Sequence, residues 1–315
     1  MFDAEAFVKE QKRAVSSKVK GKAIIACSGG VDSVVCAVIA SKAIGDRLLA
    51  VYVDTGLMRK GETDEVRKML TELKVNFKVV DAADDFFSGL KGVKDPEKKR
   101  KIVGKLFIKC FEKEAKEFGA GHLVQGTIAP DVIESGKDGK GVVKSHHNVG
   151  GLPKNMKLEL VEPLIELYKE EVREVARFLR IKVSERQPFP GPGLSVRCLG
   201  EVTPENIKIV REACHIVEDE IQKAAKAGKM KLPWQYFAAL LPVNSVGVRN
   251  GERVYGRTIV VRAVLTKDAM TAKCAEIPFD VLESISMRIT DTMGDTVNRV
   301  VYDVTDKPPA TIEWE

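Results

Sequence analysis

A short glycine loop near the N-terminus constrains the fold more than any other feature of this sequence. Residues 28–33 read Ser-Gly-Gly-Val-Asp-Ser and separate two apolar runs, Lys22 to Cys27 and Val34 to Ile44. The first run is typical of a buried strand, and the second, which is apolar almost all round, is typical of a buried helix. Two adjacent glycines let an anion approach successive backbone N–H groups, and the following helix directs its positive end at the same point. The sequence therefore predicts a strand, an anion-binding loop and a helix.

Strands and helices alternate after this loop. Short buried strands are predicted at Leu48 to Val53, Phe77 to Asp81 and His122 to Gln125, and helices at Glu62 to Leu73 and Pro96 to Phe118. Such alternation predicts an α/β fold with a doubly wound parallel sheet, whose ligand site lies at the carboxyl ends of the strands. The glycine loop lies at that edge.

A change of pattern divides the chain into two parts. The length of 315 residues is sufficient for two domains with separate cores. Residues 188–200 (PFPGPGLSVRCLG) are too rich in proline and glycine for a helix or a sheet interior and indicate a stiff connector. Beyond the connector the sequence predicts two helices, two strands and a turn: Pro204 to Lys226, Pro278 to Met293, Ser245 to Val248, Arg257 to Leu265 and Asn250-Gly251. We expect a first domain at residues 1–189 and a smaller α+β domain at residues 190–315.

Composition narrows the class of protein. The six cysteines are scattered without a C-x-x-C pair, so we expect reduced, mostly buried thiols and no zinc site. Apolar stretches are too short to cross a bilayer and the N-terminus lacks a signal-peptide core, so we expect a cytoplasmic protein without a membrane partner. A net charge of +6 suits a nucleic-acid-binding protein and an enzyme with phosphate-bearing ligands equally well.

Several charged residues are candidates for chemistry at the sheet edge. Asp32 is out of place in an anion-binding loop unless a divalent cation joins it to phosphates; the alternative is a glycine turn with Asp32 as a helix cap. Asp131 and Glu134 share one face of a turn and suit metal or lid contacts, or form a solvated acidic turn. Residues 135–157 are rich in glycine and lysine, with Lys144 near their centre, and predict a lid beside a triphosphate site.

The glycine loop lacks the G-x-x-x-x-G-K-[ST] pattern of a Walker loop. It resembles instead the pyrophosphate loop of N-type ATP pyrophosphatases, adenine nucleotide alpha-hydrolase-like enzymes that cleave ATP between its α and β phosphates. Five further segments resemble the GMP synthetase family: QGT-x-x-PDVIES from Gln125, K-x-HHNVGGLP from Lys144, LVEPL-x-EL-x-K-x-EVR from Leu160, PFPGPGLSVRCLG from Pro188 and KPPATIEWE from Lys307. The resemblance covers nearly the whole chain. It implies adenylation of the C2 oxygen of XMP by ATP, release of pyrophosphate, and displacement of AMP by ammonia to give GMP.

The same resemblance implies a set of site residues. ATP is expected to be bound by the loop and by two residues at strand ends: Ser28, Gly29, Gly30, Val31, Asp32, Ser33, Val53 and Gly126. The expected catalytic residues are Asp32, Asp131, Glu134 and Lys144, and the expected Mg²⁺ ligands are Asp32 and Glu171. The expected XMP-binding residues are Arg100, Gln235, Arg299, Lys307, Ile312 and Glu313.

The resemblance also implies partners. In this family the C-terminal domain forms a homodimer. Many members carry an N-terminal glutaminase domain, whereas fewer than thirty residues precede the loop here, so we expect a separate glutamine amidotransferase subunit to supply ammonia. Two alternatives remain: a tRNA-thiolating enzyme, which would need reactive cysteines near the loop, and a basic nucleic-acid-binding protein that retains only a vestigial nucleotide fold.

Overall fold

A computed structural model of the chain describes residues 2–134, 158–182 and 187–315. The chain forms two compact units: the first comprises Met1–Thr55, Gly61–Ala82 and Gly104–Arg186, and the second comprises Gly56–Lys60, Ala83–Val103 and Gln187–Glu315. The second unit therefore includes two segments from the first half of the chain, which the sequence pattern does not reveal. The boundary expected between residues 189 and 190 stays a prediction, and the expected lid at 135–157, with Lys144, lies outside the described residues.

The helices and strands are numbered along the described chain. The helices are α1 Ala4–Lys18, α2 Val31–Ile44, α3 Glu62–Glu72, α4 Ala83–Leu90, α5 Pro96–Phe118, α6 Ala129–Glu134, α7 Lys169–Phe178, α8 Pro204–Lys226 and α9 Phe279–Met293. The strands are β1 Lys22–Ala26, β2 Leu48–Asp54, β3 Phe77–Asp81, β4 Ala120–Val124, β5 Glu159–Val161, β6 Gln235–Arg249, β7 Glu252–Leu265, β8 Lys273–Cys274 and β9 Val297–Asp303.

A five-stranded parallel sheet forms the centre of the first unit. Its order is β3-β2-β1-β4-β5, and every pairing is parallel. β1 and β2 are buried along most of their length, as expected for parallel strands covered on both faces. On one side, α1, α2 and α7 contact one another. The predicted α/β fold with a parallel sheet is confirmed, and β5 was missed because three residues are too few to show a periodicity.

A mixed sheet forms the centre of the second unit. β6, β7 and β8 pair antiparallel, and β9 pairs parallel with β7. The predicted turn is confirmed, because Asn250 and Gly251 have φ of 51° and 82° between β6 and β7. Both strands are longer than expected, and the connector contains a buried 3₁₀ turn at Gly193–Val196, so the prediction of no helix there was wrong. Gly193, where this turn begins, has a left-handed φ of 64°, and a Cβ at this position would lie 2.5 Å from the carbonyl oxygen of Leu57, so the position requires glycine.

Two expectations from composition can be compared with the structure. All six cysteines are free thiols, of which Cys27, Cys36, Cys198 and Cys214 are buried and the other two are half-buried. Among the described helices, none combines the length and the apolar character needed to cross a membrane.

Candidate functional site

The glycine loop joins β1 to α2 through two residues with special backbone conformations. The N–H of Cys27 donates to the carbonyl of Val51 at 2.9 Å and extends the strand pairing to the start of the loop. Gly29 has φ of 81°, and Gly30 is extended and is the N-cap of α2. α2 therefore begins at Val31, three residues earlier than predicted, which places Asp32 and Ser33 in its first turn. The first N–H groups of a helix have no partner within the helix, so they remain available to an anion.

Close packing around the loop requires two glycines. A Cβ on Gly29 would lie 2.7 Å from Cγ2 of Val66, in α3. A Cβ on Gly126, which follows β4, would lie 3.1 Å from the backbone carbonyl of Asp32 and 3.3 Å from the nitrogen of Ser33. Gly29 and Gly126, both predicted to bind ATP, therefore allow the loop to pack closely against its neighbours because they have no side chain. The hydroxyls of Ser28 and Ser33 lie 3.3 Å apart, and Ser33 donates to the carbonyl of Gly30 at 2.9 Å.

Asp32 is an acidic side chain with one oxygen paired and one left open. Its Oδ2 accepts from Nζ of Lys169, the first residue of α7, at 2.6 Å. Its Oδ1 is buried and has no hydrogen-bond partner among the described residues. The helix-cap alternative for Asp32 is wrong, because Gly30 is the N-cap and no side chain caps this end. An open, buried carboxylate oxygen beside free helix N–H groups indicates a ligand that is itself cationic or protonated.

Mg²⁺ is the ion that the resemblance implies, and the residues present suit it. Mg²⁺ is held by one or two carboxylates together with phosphate oxygens and water, so the open Oδ1 of Asp32 is an adequate protein ligand. Glu171, the second expected ligand, lies two residues after Lys169, and its Oε2 accepts from the N–H of Tyr168 at 2.7 Å. Glu171 therefore caps α7 on the same turn that reaches Asp32. In the described part of the chain, no group of three acidic, His or Cys side chains forms a metal cluster of its own.

The structure describes the side chains of two other candidate residues of the first unit, Asp131 and Val53. Asp131 lies in the first turn of α6, and its Oδ2 accepts from the N–H of Ile128 at 3.0 Å, which stabilises the start of that helix. Val53 is buried near the carboxyl end of β2. Glu134 ends α6, but its side chain and Lys144 lie outside what the structure describes.

Two buried thiols flank the loop without the chemistry of a nucleophile. Burial raises the pKa of Cys27, at the end of β1, and burial likewise raises the pKa of Cys36, in α2. The thiolate is the reactive form of cysteine, so both groups stay protonated and unreactive at neutral pH. This environment counts against the tRNA-thiolating alternative.

The second unit contains a buried ionic cluster around the C-terminal segment. Arg197, from the 3₁₀ region of the connector, binds Glu313 with two bonds: Nη2 to Oε1 at 2.8 Å and Nε to Oε2 at 3.1 Å. Burial lowers the pKa of Arg197, but the charge of Glu313 and its hydrogen bonds outweigh burial and raise that pKa above its ordinary value. Nε2 of Gln235 also donates to Oε1 of Glu313, at 3.1 Å. The structure thus brings together Gln235 and Glu313, which were predicted from distant parts of the sequence.

The C-terminal segment is fastened at several further points. Lys99, which is fully buried, forms an ion pair with Glu315 and donates to the carbonyl of Cys198 at 2.8 Å. Nη2 of Arg100 donates to the backbone carbonyl of Glu315 at 2.5 Å. Ile312 packs in a buried cluster with Val264 and Ala272. A terminal tail is disordered by default, and here buried ion pairs and an apolar anchor override that default.

Two other predicted XMP-binding residues bond to backbone carbonyls. Nζ of Lys307 donates to the carbonyl of Ala269 at 2.7 Å, and Nη2 of Arg299, on β9, donates to that of Val246 at 3.3 Å. Both acceptors are neutral carbonyl groups, so these bonds do not neutralise the positive charge of either side chain.

Three residues of these clusters escaped the sequence analysis. Lys169 and Lys99 belong to charged helix starts that look solvent-exposed from periodicity alone, and Arg197 lies within a proline-rich connector. The available signal was a pair of acidic residues, Glu313 and Glu315, beside Ile312 and Trp314 in a tail with apolar character. Acidic side chains that are buried require cationic partners, but the sequence does not indicate which cations supply them.

Two protein-family models and several known proteins match this chain. A family described as PP-loop domain matches residues 4–186, and one described as GMP synthase C terminal domain matches residues 219–314. The chain is similar to proteins named as a subunit of glutamine-hydrolyzing GMP synthase: 54% identical over 314 residues in Thermoplasma acidophilum and 54% over 319 residues in Methanopyrus kandleri, each covering 100% of both chains. The protein of that name from Pyrococcus horikoshii is 56% identical over 313 residues, or 98% of both chains. Among solved structures, NMN synthetase from Francisella tularensis has a TM-score of 0.47 and 15% identity, over 62% of this chain and 79% of that one.

Proposed function

Since this chain belongs to the family of these GMP synthase subunits, we propose that it makes GMP from XMP by adenylating the C2 oxygen with ATP and then accepting ammonia. It is a ligase of purine nucleotide biosynthesis that releases pyrophosphate in the first step and AMP in the second. The observation that carries the ATP-dependent step is the glycine loop, whose free helix N–H groups lie beside an open carboxylate oxygen of Asp32.

We assign the first step to the loop and its neighbours. Backbone N–H groups at Val31 to Ser33 and the hydroxyls of Ser28 and Ser33 bind the departing pyrophosphate, and the dipole of α2 favours its negative charge. Catalysis then comes chiefly from positioning and charge stabilisation, so no covalent enzyme intermediate is needed. Asp32, with Glu171, would hold Mg²⁺, which neutralises phosphate charge when it is bound. Val53 and Gly126 lie at strand ends, where adenosine contacts are expected.

We assign XMP to the second unit. Arg100, Arg299 and Lys307 supply positive charge for its phosphate, and Gln235, Ile312 and Glu313 lie in or beside the cluster proposed to bind the base. Asp131, Glu134 and Lys144 remain proposed catalytic residues, and Lys144 belongs to the predicted lid. The burial of Ile312 and the bonds of Glu313 support a tail that is ordered enough to form part of a binding site.

Ammonia is proposed to come from a separate glutamine amidotransferase subunit, since the relatives are named as one subunit of a glutamine-hydrolyzing enzyme. A homodimer through the C-terminal domain is also proposed. Val246, Val248 and Tyr255 share one face of the β6–β7 hairpin and are 45%, 79% and 67% exposed, which supports an interface at this face. Reduced thiols and the role of the family in nucleotide synthesis support a cytoplasmic location.

Incubation of the purified chain with XMP, ATP, Mg²⁺ and ammonium tests the proposal. We expect GMP, AMP and pyrophosphate in equal amounts, and no GMP when glutamine replaces ammonium until the amidotransferase is added. The Asp32→Asn variant is the matched control for contaminating activity. Absence of XMP-dependent pyrophosphate release would contradict the function, and glutamine-dependent synthesis by the homogeneous chain at a comparable rate would contradict the two-subunit arrangement.

A further inference from the structure

We infer that Arg197 is a positioning residue for the base of XMP, because it holds the Glu313 carboxylate so that Oε2 keeps a single free acceptor position. The inference rests on the proposed role of Glu313 in binding XMP. Arg197 does not touch the substrate in this account; it acts through Glu313.

The guanidinium of Arg197 is buried and packs against two aromatic rings, and its Nη1 has no hydrogen-bond partner among the described residues. Its side chain is 1% exposed, and the centroids of the Phe237 and Phe189 rings lie 4.1 and 5.3 Å from its central carbon. Aromatic rings stabilise a guanidinium placed over them, and the planar fork of arginine matches a carboxylate in only a few orientations. The two parallel bonds from this buried guanidinium therefore set the plane of the Glu313 carboxylate.

Counting acceptor positions shows which oxygen stays available. Each carboxylate oxygen offers two acceptor positions. Oε1 of Glu313 accepts from Arg197 and Gln235, and Oε2 accepts from Arg197 only. Gln235 is itself fixed by a bond from its Nε2 to the carbonyl of Pro188 at 3.1 Å. Among the described residues, Oε1 is thus saturated and Oε2 has one position left, on a side chain that is 18% exposed.

The open position suits a ring N–H of a purine. A xanthine ring carries N–H donors, and an ionised carboxylate can only accept, so it favours a base that presents N–H over one that presents a ring nitrogen lone pair. Sites that hydrogen-bond a substrate group discriminate strongly against analogues without it. Arg197 contributes to this preference because its two bonds to Glu313 set the direction of the free position.

The alternative is that Arg197 only stabilises the position of the C-terminal segment. A second buried arginine that binds the same segment provides a control for this alternative. Arg262 is fully buried and donates to the backbone carbonyls of Thr305 and Thr311, with an ion pair to Asp303 at 3.3 Å. It holds the same C-terminal segment without touching Glu313. If fastening were the whole contribution of Arg197, the two arginines would give the same result on substitution.

The test compares Arg197→Lys with Arg262→Lys in steady-state pyrophosphate release and thermal unfolding. Lysine keeps the charge but cannot bind both carboxylate oxygens, so we expect KM for XMP to rise about tenfold or more in Arg197→Lys, with KM for ATP within about twofold of wild type. Arg262→Lys should lower Tm without that selective rise. Phe189→Leu removes an aromatic contact of the guanidinium without removing a charge and should raise KM for XMP about threefold. This variant provides the test if Arg197→Lys does not fold.

A double variant shows whether Arg197 acts through Glu313. In the Glu313→Gln background, Arg197→Lys should change KM for XMP by less than about twofold, since the group it positions is gone. An unchanged KM for XMP in a folded Arg197→Lys protein, equal rises for XMP and ATP, or full additivity with Glu313→Gln would each overturn the inference. Wild-type protein without XMP-dependent pyrophosphate release would instead refute the proposed function itself.

Discussion

Gly29→Ala is the change whose cost follows most directly from the loop geometry. Alanine at a φ of 81° costs about 1–2 kcal/mol because its Cβ crowds the backbone. The new Cβ would also lie 2.7 Å from Cγ2 of buried Val66, and overpacking of this kind costs about 1–3 kcal/mol. The free energy of unfolding of the first unit should therefore fall by about 2–5 kcal/mol. Any displacement of the loop should also raise KM for ATP.

The matched control is Gly21→Ala, because Gly21 lies just before β1, has no positive φ, and has nothing within 4 Å of the position that a Cβ would take. Both alanines restrict the unfolded chain equally, so the difference between the two variants isolates the folded-state cost. Urea unfolding followed by far-UV circular dichroism measures that difference. The Gly29→Ala/Val66→Ala double variant should lose less stability than the sum of the losses in the two single variants, because truncation of Val66 removes the clash with the new Cβ, although the φ strain and the lost packing of Val66 remain. Equal unfolding midpoints for Gly29→Ala and Gly21→Ala would refute the reasoning.

Other consequences can be tested separately. Asp32→Ala should lower XMP-dependent pyrophosphate release by at least about a hundredfold while Tm changes little, because a loop carboxylate contributes to charge stabilisation rather than packing; a near wild-type rate would contradict its role. Lys99→Met should destabilise the second unit by about 3–5 kcal/mol in urea unfolding, because Glu315 would stay buried without its cation, and Lys101→Met, on an exposed position of the same helix, is the control. Burial raises the pKa of Asp219, but bonds from Lys223 and Arg288 outweigh it and hold the pKa below its usual value; in Glu220, bonds from Ser284 and Arg288 do the same. The stability that comes from these lowered pKa values is present at neutral pH and is lost as pH falls below about 4. The free energy of unfolding of Arg288→Met should therefore fall less steeply in this acid range than that of wild type. An unchanged pH dependence in this range would exclude these ion pairs as its cause.

The loop and its sheet were predictable because they depend on local pattern. Val34 to Ile44 and the strands beside it are apolar runs of the right length, and Asn250-Gly251 has a turn preference that needs no tertiary context. The start of α2 was misplaced because Asp32 and Ser33 suit a cap as well as a first turn, and the extended Gly30 decides between them only in three dimensions.

Long-range charge pairing was not predictable from the sequence. Arg197 lies 116 positions from Glu313, and Lys99 lies 216 positions from Glu315, so no spacing rule connects them. The division of the chain into two units was not predictable either. Residues 56–60 and 83–103 fit the α/β pattern of the first unit, although they belong to the second unit. Tertiary packing overrides local pattern at these places.

Oxygen transfer from substrate to product tests the central claim most directly. XMP labelled with ¹⁸O at the C2 oxygen should be converted by the chain, with ATP, Mg²⁺ and ammonium, to unlabelled GMP and to AMP that carries one ¹⁸O in its phosphate, as mass spectrometry would detect. This result follows only if the C2 oxygen attacks the α-phosphorus and later departs with AMP. Unlabelled AMP, or label recovered in inorganic phosphate together with ADP, would contradict adenylation of XMP at this oxygen.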